Sequence, residues 1–215
     1  MPTNSCIICH GTTHLLEDTQ IKVMNDVCDD CGFIYKQKEF HMSLDSEVTE
    51  YNKHNNSFES LGYVDMFVRL IDGFIDDLNI ERKILEFGSG PGPVLKELLI
   101  RKNHKVFDYD PFYNPNEEYK NHKYQLITST EVAEHFSDPL KEFAHLTSLL
   151  EDDGYLLIMT SFRTMSEDKY LKWWYRRDGT HISFYNIDVF NKIAAINNLK
   201  IVKHNDKNII LFQKL

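Results

Sequence analysis

The stretch Lys83-Ile-Leu-Glu-Phe-Gly-Ser-Gly-Pro-Gly-Pro-Val-Leu-Lys-Glu-Leu-Leu99 decides the fold of this 215-residue chain. A short apolar run opens it and apolar residues at helical spacing close it, which predicts a buried strand followed at once by a helix. Gly88, Gly90 and Gly92 separate the two, so the backbone can turn tightly and approach a ligand closely. The stretch therefore predicts a nucleotide-type site at the carboxyl end of the first strand of an α/β sheet.

Glu86, two residues before the first glycine, narrows the kind of ligand. A carboxylate at a strand end suits a cofactor that carries cationic groups better than a dinucleotide, whose pyrophosphate binds at a helix N-terminus. The glycine pattern alone is shared by many Rossmann-like families, and a glycine-rich turn without any ligand is the alternative.

The composition limits the function classes. Lysine and arginine number 24 and aspartate and glutamate 33, which gives a formal charge of −9 and argues against a general electrostatic grip on nucleic acid. No apolar run approaches the roughly 18 residues of a membrane span, and no apolar leader follows Met1. We expect a soluble, cytoplasmic protein with one α/β domain and a small accessory module.

The cysteines predict a metal site. They form two Cys-x2-Cys pairs near the start of the chain, at Cys6, Cys9, Cys28 and Cys31. This spacing is typical of a structural Zn²⁺ site, and four thiolates leave no open position for catalysis. Two disulfides or free thiols are the alternatives, although disulfides do not suit a reducing compartment. His10 and His14 lie close enough to compete as ligands, but the cysteine set is complete without them.

The chain divides into three predicted parts. Residues 1–40 are a zinc-ribbon module with short strands at 21–24 and 33–35, residues 41–80 are a connector and an N-terminal helix over 61–78, and residues 81–215 are the ligand-binding domain. In that domain we expect strands at 105–110, 124–128 and 155–160, a helix begun by Ser137-Asp-Pro139, a helix at 187–197, and an antiparallel pair at 199–202 and 208–212.

Residues 50–215 resemble the class I S-adenosylmethionine (SAM)-dependent methyltransferases. Four segments carry the resemblance: Leu85-Glu-Phe-Gly-Ser-Gly-Pro-Gly92, Phe107-Asp-Tyr-Asp-Pro111, Ile127-Thr-Ser-Thr-Glu-Val-Ala-Glu-His-Phe-Ser-Asp-Pro139 and Asp153-Gly-Tyr-Leu-Leu-Ile-Met-Thr160. The Glu-Val-x-Glu-His run is similar to quinone-biosynthesis methylases and to bacterial methyltransferases, some of which carry an N-terminal zinc ribbon. The resemblance implies a Rossmann-like α/β sheet with an antiparallel last strand.

The resemblance also implies the cofactor site, with SAM bound by Glu86, Gly88, Ser89, Gly90, Gly92, Asp110, Pro111, Phe112, Thr130 and Glu131. In this reading Asp110 accepts hydrogen bonds from both ribose hydroxyls, and Thr130 and Glu131 border the sulfonium. Tyr51 and His54 are candidates to cap the methionine end.

One interval departs from the family pattern. Only residues 111–123 separate Asp110 from Tyr124, too few for the usual helix and third strand, and Pro111 and Pro115 disfavour a helix. We expect a sheet truncated at the third-strand edge. Phe112 or Tyr113 then either stacks on the adenine or plugs the exposed edge of the core.

The segment Trp173–Tyr185 is the candidate acceptor region. One interpretation makes His181 the general base and uses Arg176 and Arg177 to bind an anionic acceptor. The other makes His181 a structural hydrogen-bonding residue, buries the tryptophan pair in the core, and leaves the arginines solvated or paired with Asp178. His135 fits a scaffold role better than that of a base.

The sequence thus predicts a SAM-dependent methyltransferase that modifies a small-molecule acceptor at oxygen, nitrogen or carbon. One alternative is a zinc ribbon that recruits a nucleic acid or protein for methylation. Another is a SAM-binding protein without catalysis. No motif encodes the acceptor or the oligomeric state.

Overall fold

The computed structural model describes residues 5–53, 56–163 and 166–215. Ten strands and six α-helices occur in these ranges. The strands are β1 (Thr13–Asp18), β2 (Val23–Cys28), β3 (Ile34–Lys36), β4 (Lys83–Phe87), β5 (Lys105–Tyr109), β6 (Tyr124–Thr130), β7 (Leu150–Met159), β8 (Ser183–Phe184), β9 (Leu199–His204) and β10 (Ile209–Lys214). The helices are α1 (Leu44–Tyr51), α2 (Leu61–Phe74), α3 (Val94–Arg101), α4 (Pro139–Leu149), α5 (Glu167–Tyr170) and α6 (Ile187–Ile196).

The larger sheet has six strands in the order β5-β4-β6-β7-β10-β9. β4 pairs in parallel with β5 and β6, β6 pairs in parallel with β7, and β10 is antiparallel to both β7 and β9. Because these strands are parallel, the carboxyl ends of β4, β5 and β6 lie at one edge of the sheet. The strand order reverses beside β4, and ligands bind at this point in such sheets. The predicted Rossmann-like sheet with an antiparallel last strand is confirmed.

The truncated edge is also confirmed, because β5 is the outermost strand and residues 111–123 hold a 3-10 turn (Glu117–Asn121) in place of a strand. The side chain that fills this edge is Tyr119. It is buried, and its ring centroid lies 4.3 Å from that of Tyr109. Phe112, which was a candidate for this role, is 37% exposed.

Helices cover both faces of the sheet. α2 and α3 pack on one face around Phe67, Leu70, Ile84 and Leu99, and α4 and α6 lie on the other face within a second cluster. The predicted five-turn helix at 61–78 is shorter than expected, since α2 ends at Phe74 and Asn79 adopts a left-handed conformation (φ 50°) that turns the chain toward β4. None of the described helices is long and apolar enough to cross a membrane.

The smaller sheet has the order β1-β2-β3-β8. Its fourth strand comes from the Trp173–Tyr185 segment, with Ile34 opposite Phe184 and Tyr35 opposite Ser183. Residues of the cysteine-rich start and of α4 and α6 share one continuous core. β8 therefore belongs to the smaller sheet by pairing and to the predicted ligand-binding domain by chain position, and the boundaries at residues 40 and 80 stay predictions. Sequence reasoning also missed β1 and α1.

Candidate functional site

The glycine turn after β4 has the conformation that only glycine adopts readily. Gly88 and Gly90 have φ of 82° and 65°. A Cβ on Gly88 would collide with the Val132 side chain, and one on Gly92 with the backbone carbonyl of Asn56. Beside Gly90, in contrast, the nearest atom to an added Cβ is Asn56 Nδ2 at 3.7 Å. Gly88 and Gly92 are therefore required because other protein atoms occupy the place of a side chain. Gly90 instead borders open space in which a ligand could bind.

Asp110 closes β5 and reaches the same turn. Its Oδ2 accepts a hydrogen bond from the Gly90 amide at 2.8 Å, and its Oδ1 accepts from the amides of Phe112 (2.9 Å) and Tyr113 (3.0 Å). A carboxylate oxygen accepts about two hydrogen bonds, so Oδ1 is fully used and Oδ2 keeps one free position. In this arrangement Asp110 has capacity for one further donor, whereas the predicted contact with two ribose hydroxyls needs two.

Glu86 bonds to the protein backbone in this structure. The side chain is buried, and its Oε2 accepts from the amide of Lys96, in the first turn of α3, at 2.9 Å. It therefore caps the helix that follows the glycine turn. Burial raises the pKa of Glu86 to about 8. Ser89 and Thr130, two other predicted cofactor residues, are buried at the same edge.

Glu131 follows β6 and faces a second carboxylate. The hydroxyl of Tyr175 donates to Glu134 Oε1 at 2.5 Å and lies 3.3 Å from Glu131 Oε2. Because a hydroxyl has one proton, its short bond to Glu134 leaves Glu131 without that donor. Burial and the nearby Glu134 carboxylate raise the pKa of Glu131 well above its usual value. Sequence reasoning assigned no role to Tyr175 or Glu134.

His181 lies beside this carboxylate pair. Its Nδ1 is 2.8 Å from the backbone oxygen of Tyr175, so Nδ1 carries the proton and Nε2 presents a lone pair. Burial lowers the pKa of His181, which favours the neutral imidazole. The ring of His135 lies 5.0 Å away between centroids. The structure thus brings the predicted base next to His135, which sequence reasoning treated as scaffold.

Helix α1 lies against the site from the connector. Tyr51 contacts both the His135 ring (5.3 Å between centroids) and the Phe112 ring (5.7 Å). Its hydroxyl lies 3.2 Å from His135 Nδ1. Pro111 is exposed next to Phe112. His54, the other predicted cap of the methionine end, lies outside the described residues.

The predicted role of Arg176 in binding an anionic acceptor is wrong. The side chain is buried, with Nε 2.7 Å from Asp18 Oδ2, and Nη2 donates to Gln20 Oε1 at 2.8 Å. The partner is Asp18 of β1, not Asp178, so the arginine attaches the Trp173–Tyr185 segment to the smaller sheet. Arg177 is exposed. Trp174 is 69% exposed, so the tryptophan pair is not buried as a unit.

The four cysteines converge, and all are free thiols. Cys6 Sγ lies 3.8 Å from Cys31 Sγ, and Cys9 Sγ lies 3.5 Å from Cys28 Sγ. A tetrahedral Zn²⁺ site with 2.3 Å bonds places its sulfurs about 3.8 Å apart, whereas a disulfide needs about 2.05 Å. The disulfide alternative is therefore excluded in this structure, and the donor set fits zinc.

The sheet order and the glycine turn define an α/β protein of the methyltransferase type. Residues 58–204 match the family model described as "Methyltransferase domain". The match covers more than half of the chain, which therefore belongs to this family. A search of curated proteins finds no match.

Several solved structures of methyltransferases are similar to this chain. Magnesium protoporphyrin IX methyltransferase from Synechocystis PCC 6803, with bound SAH, is 15% identical with a TM-score of 0.55, covering 72% of this chain and 84% of its own. An O-methyltransferase family protein from Burkholderia thailandensis is 12% identical (TM-score 0.44, covering 71% and 58%). An O-methyltransferase family 2 protein from Planctomyces limnophilus, in complex with apigenin, is 16% identical (TM-score 0.47, covering 66% and 53%). This chain spans little more than half the length of the latter two.

Proposed function

We propose that this protein transfers the methyl group of SAM to a small-molecule acceptor. The observation that carries the proposal is the hydrogen bond from the Gly90 amide to Asp110, which joins the glycine turn after β4 to the carboxylate that ends β5. A ligand beside Gly90 would lie within reach of that carboxylate and of Glu131. When bound, SAM supplies a methyl group on a positively charged sulfur, activated for in-line displacement.

The residues of this edge would hold the cofactor in distinct ways. The free position on Asp110 Oδ2 accepts one ribose hydroxyl, and Glu131, which follows β6, borders the sulfonium side of the cofactor. Phe112, exposed beside Tyr51, offers a face to the adenine. The remaining residues assigned to this edge are Glu86, Gly88, Ser89, Gly92, Pro111 and Thr130.

His181 acts on the acceptor side in this proposal. Its Nε2 lone pair and its lowered pKa support the predicted role of general base, because a neutral imidazole can take a proton from the acceptor. Burial of His181, Glu134 and Tyr175 supports a small acceptor rather than a folded macromolecule. The structurally similar Synechocystis enzyme is named for a small molecule, magnesium protoporphyrin IX.

We further propose that the four cysteines hold a structural Zn²⁺ and that residues 1–40 form a zinc ribbon. The sulfur spacing supports this assignment, and so do the amides of Ile8 and Cys31, each 3.4 Å from a cysteine sulfur. The thiol state of all four cysteines fits a reducing compartment such as the cytoplasm.

Calorimetric titration of the zinc-loaded chain with SAM and with S-adenosylhomocysteine tests the function. We expect both to bind, and Asp110→Ala to weaken both by more than about tenfold through loss of a hydrogen bond to a charged group. Asp206→Asn, in the turn between β9 and β10, is the matched control and should bind as the wild type does. No binding to folded wild-type protein would overturn the proposal.

A further inference from the structure

A second group of metal-ligating side chains lies outside the cysteine site. Glu134, His135 and His181 each place one ligand atom so that all three lie within 4.8 Å of one another. Glu134 and His135 follow β6, whereas His181 comes from the segment before β8. The group lies at the sheet edge that also carries Glu131.

Both imidazoles are oriented as metal ligands are. His181 Nδ1 lies 2.8 Å from the Tyr175 carbonyl oxygen, and His135 Nδ1 lies 3.0 Å from the Thr180 carbonyl oxygen. Each Nδ1 therefore carries the proton and donates to backbone, and each Nε2 keeps its lone pair. A hydrogen bond from the second ring nitrogen to a carbonyl is the usual support of a metal-bound histidine, since it fixes tautomer and ring orientation.

The Glu134 carboxylate supplies the third metal-ligating atom. It also gives a second, independent indication that something binds here, because one of its oxygens has no partner in the part of the chain that the structure describes. The residue is fully buried, its Oε1 accepts from Tyr175, and its Oε2 has no hydrogen-bond partner among the described residues. A buried carboxylate oxygen without a partner is costly. Oε1 also lies 4.0 Å from His135 Nε2, a separation that one ion with bonds of about 2.0–2.2 Å to each atom can just span.

We infer that Glu134, His135 and His181 bind a divalent first-row transition metal ion, and that this ion coordinates a hydroxyl oxygen of the acceptor. Two imidazoles and one carboxylate suit such an ion and leave coordination positions open. The inference rests on the proposed function and narrows the acceptor from an oxygen, nitrogen or carbon nucleophile to a hydroxyl compound. His135 keeps 19% of its side chain exposed, which gives the site an opening.

The ion would act by lowering the pKa of the acceptor hydroxyl. The hydroxyl proton leaves to water, the oxygen forms a bond to the methyl carbon, and the carbon–sulfur bond breaks with its electron pair going to sulfur. A metal-bound Nε2 cannot also accept a proton. The inference therefore replaces the base role of His181 by that of a ligand.

Binding of Mn²⁺ and of Co²⁺ to the zinc-loaded full-length chain tests the inference. Mn²⁺ prefers oxygen and nitrogen donors to thiolates, so it reports on this group rather than on the cysteines. Loss of the free Mn²⁺ signal in electron paramagnetic resonance gives stoichiometry and affinity, and calorimetry gives the same for Co²⁺. We expect one ion per chain beyond the structural zinc.

Three variants locate the ion. His181→Ala and Glu134→Gln should each weaken binding by more than about 100-fold, the upper end of what loss of an outer-sphere partner costs. His204→Ala, which removes a histidine paired with Asp206 at the end of β9, should bind as the wild type does. Zinc content, circular dichroism and SAM affinity of the same samples verify that the variants are folded.

The outcomes separate the two proposals. Failure of the wild-type chain to bind either ion, or equal binding by the ligand variants, overturns the metal site. SAM binding in those samples leaves the proposed function intact. Metal binding without SAM binding would overturn the proposed function and the ion's role toward a methyl acceptor, while the metal site itself would stand.

Discussion

The cysteine site and the Glu134–His135–His181 group differ in how the chain assembles them. The cysteines come from two short knuckles within the first 31 residues, and four thiolates would close the coordination of the proposed Zn²⁺. The second group joins the end of β6 to a segment more than forty positions later, and it leaves coordination positions open. The cysteine site depends on local spacing and suits a structural role, whereas the second group depends on tertiary packing and suits a chemical role.

Removal of zinc is the largest perturbation we expect. Structural zinc contributes about 10–16 kcal/mol in small zinc modules. Cys6, Cys28 and Cys31 belong to the same core as α4 and α6, so a chelator or Cys28→Ser should destabilise the α/β domain together with the ribbon. Thermal unfolding by circular dichroism, with metal analysis of the same samples, measures this effect.

His10→Ala is the control for zinc removal. His10 is exposed next to Cys9, and the variant should keep both zinc and melting temperature. If the α/β domain still melts at the wild-type temperature after a chelator has removed zinc, the cysteine site and the α/β domain are independent folding units.

Arg176→Ala tests whether the segment that supplies His181 is held by the ribbon. The substitution leaves Asp18 buried without its cation, which should lower the free energy of unfolding by about 3–5 kcal/mol. The adjacent exposed residue gives the control, since Arg177→Ala should change the free energy of unfolding by less than about 0.5 kcal/mol. Urea unfolding measures both, and equal effects would contradict the assignment of Asp18 as the partner.

Glu86 offers a contrast with Glu134, because its buried carboxylate has an amide partner. Burial raises its pKa to about 8 in the folded chain, against an ordinary value of 4.5. The stability that it contributes is therefore complete below pH 4.5 and is lost as the pH rises to about 8. The wild type should lose a few kcal/mol relative to Glu86→Gln over this window. Parallel denaturation curves at several pH values measure the difference, and a constant difference would refute it.

Tyr51→Phe should have the smallest effect, because Tyr51 contacts the Glu134–His135–His181 group without being a proposed ligand. It removes the hydroxyl 3.2 Å from His135 Nδ1 but keeps the ring and the Thr180 contact. We expect Mn²⁺ affinity to fall by about tenfold, the lower end for an outer-sphere partner. Tyr113→Phe, whose hydroxyl bonds Asn52 instead, should leave Mn²⁺ affinity unchanged. An unaltered Mn²⁺ affinity in Tyr51→Phe would show that the Tyr51 hydroxyl does not help to orient His135 as a ligand.

Local patterns in the sequence predicted much of the fold. The glycine turn, the parallel strands, the antiparallel last strand and the truncated edge all follow from features within about 15 residues, such as apolar periodicity and the short interval after Asp110. The convergence of the cysteines followed from their spacing. In each case the residues that decide the structure are close in sequence.

Other features depend on contacts between distant segments. Nothing near Ser183 indicates that it pairs with Tyr35, and a two-residue strand has no periodicity to detect. Neither interpretation of Arg176, an anionic acceptor or pairing with Asp178, included Asp18, because Asp18 lies far away in the sequence. His135 and His181 were considered separately for the same reason. The Glu-x-x-Glu-His run was the available signal for the second group, although a third ligand requires the tertiary structure.

The pairing of β3 with β8 sets an order of events during synthesis. Residues 5–37 leave the ribosome early and can form the cysteine site, but the outer edge of β3 has no partner until residues 183–184 emerge. At 5–20 residues per second, that interval is on the order of 10 s. An unpaired strand edge invites association with other chains. Nascent and C-terminally shortened chains should therefore be the forms of this protein most prone to aggregate.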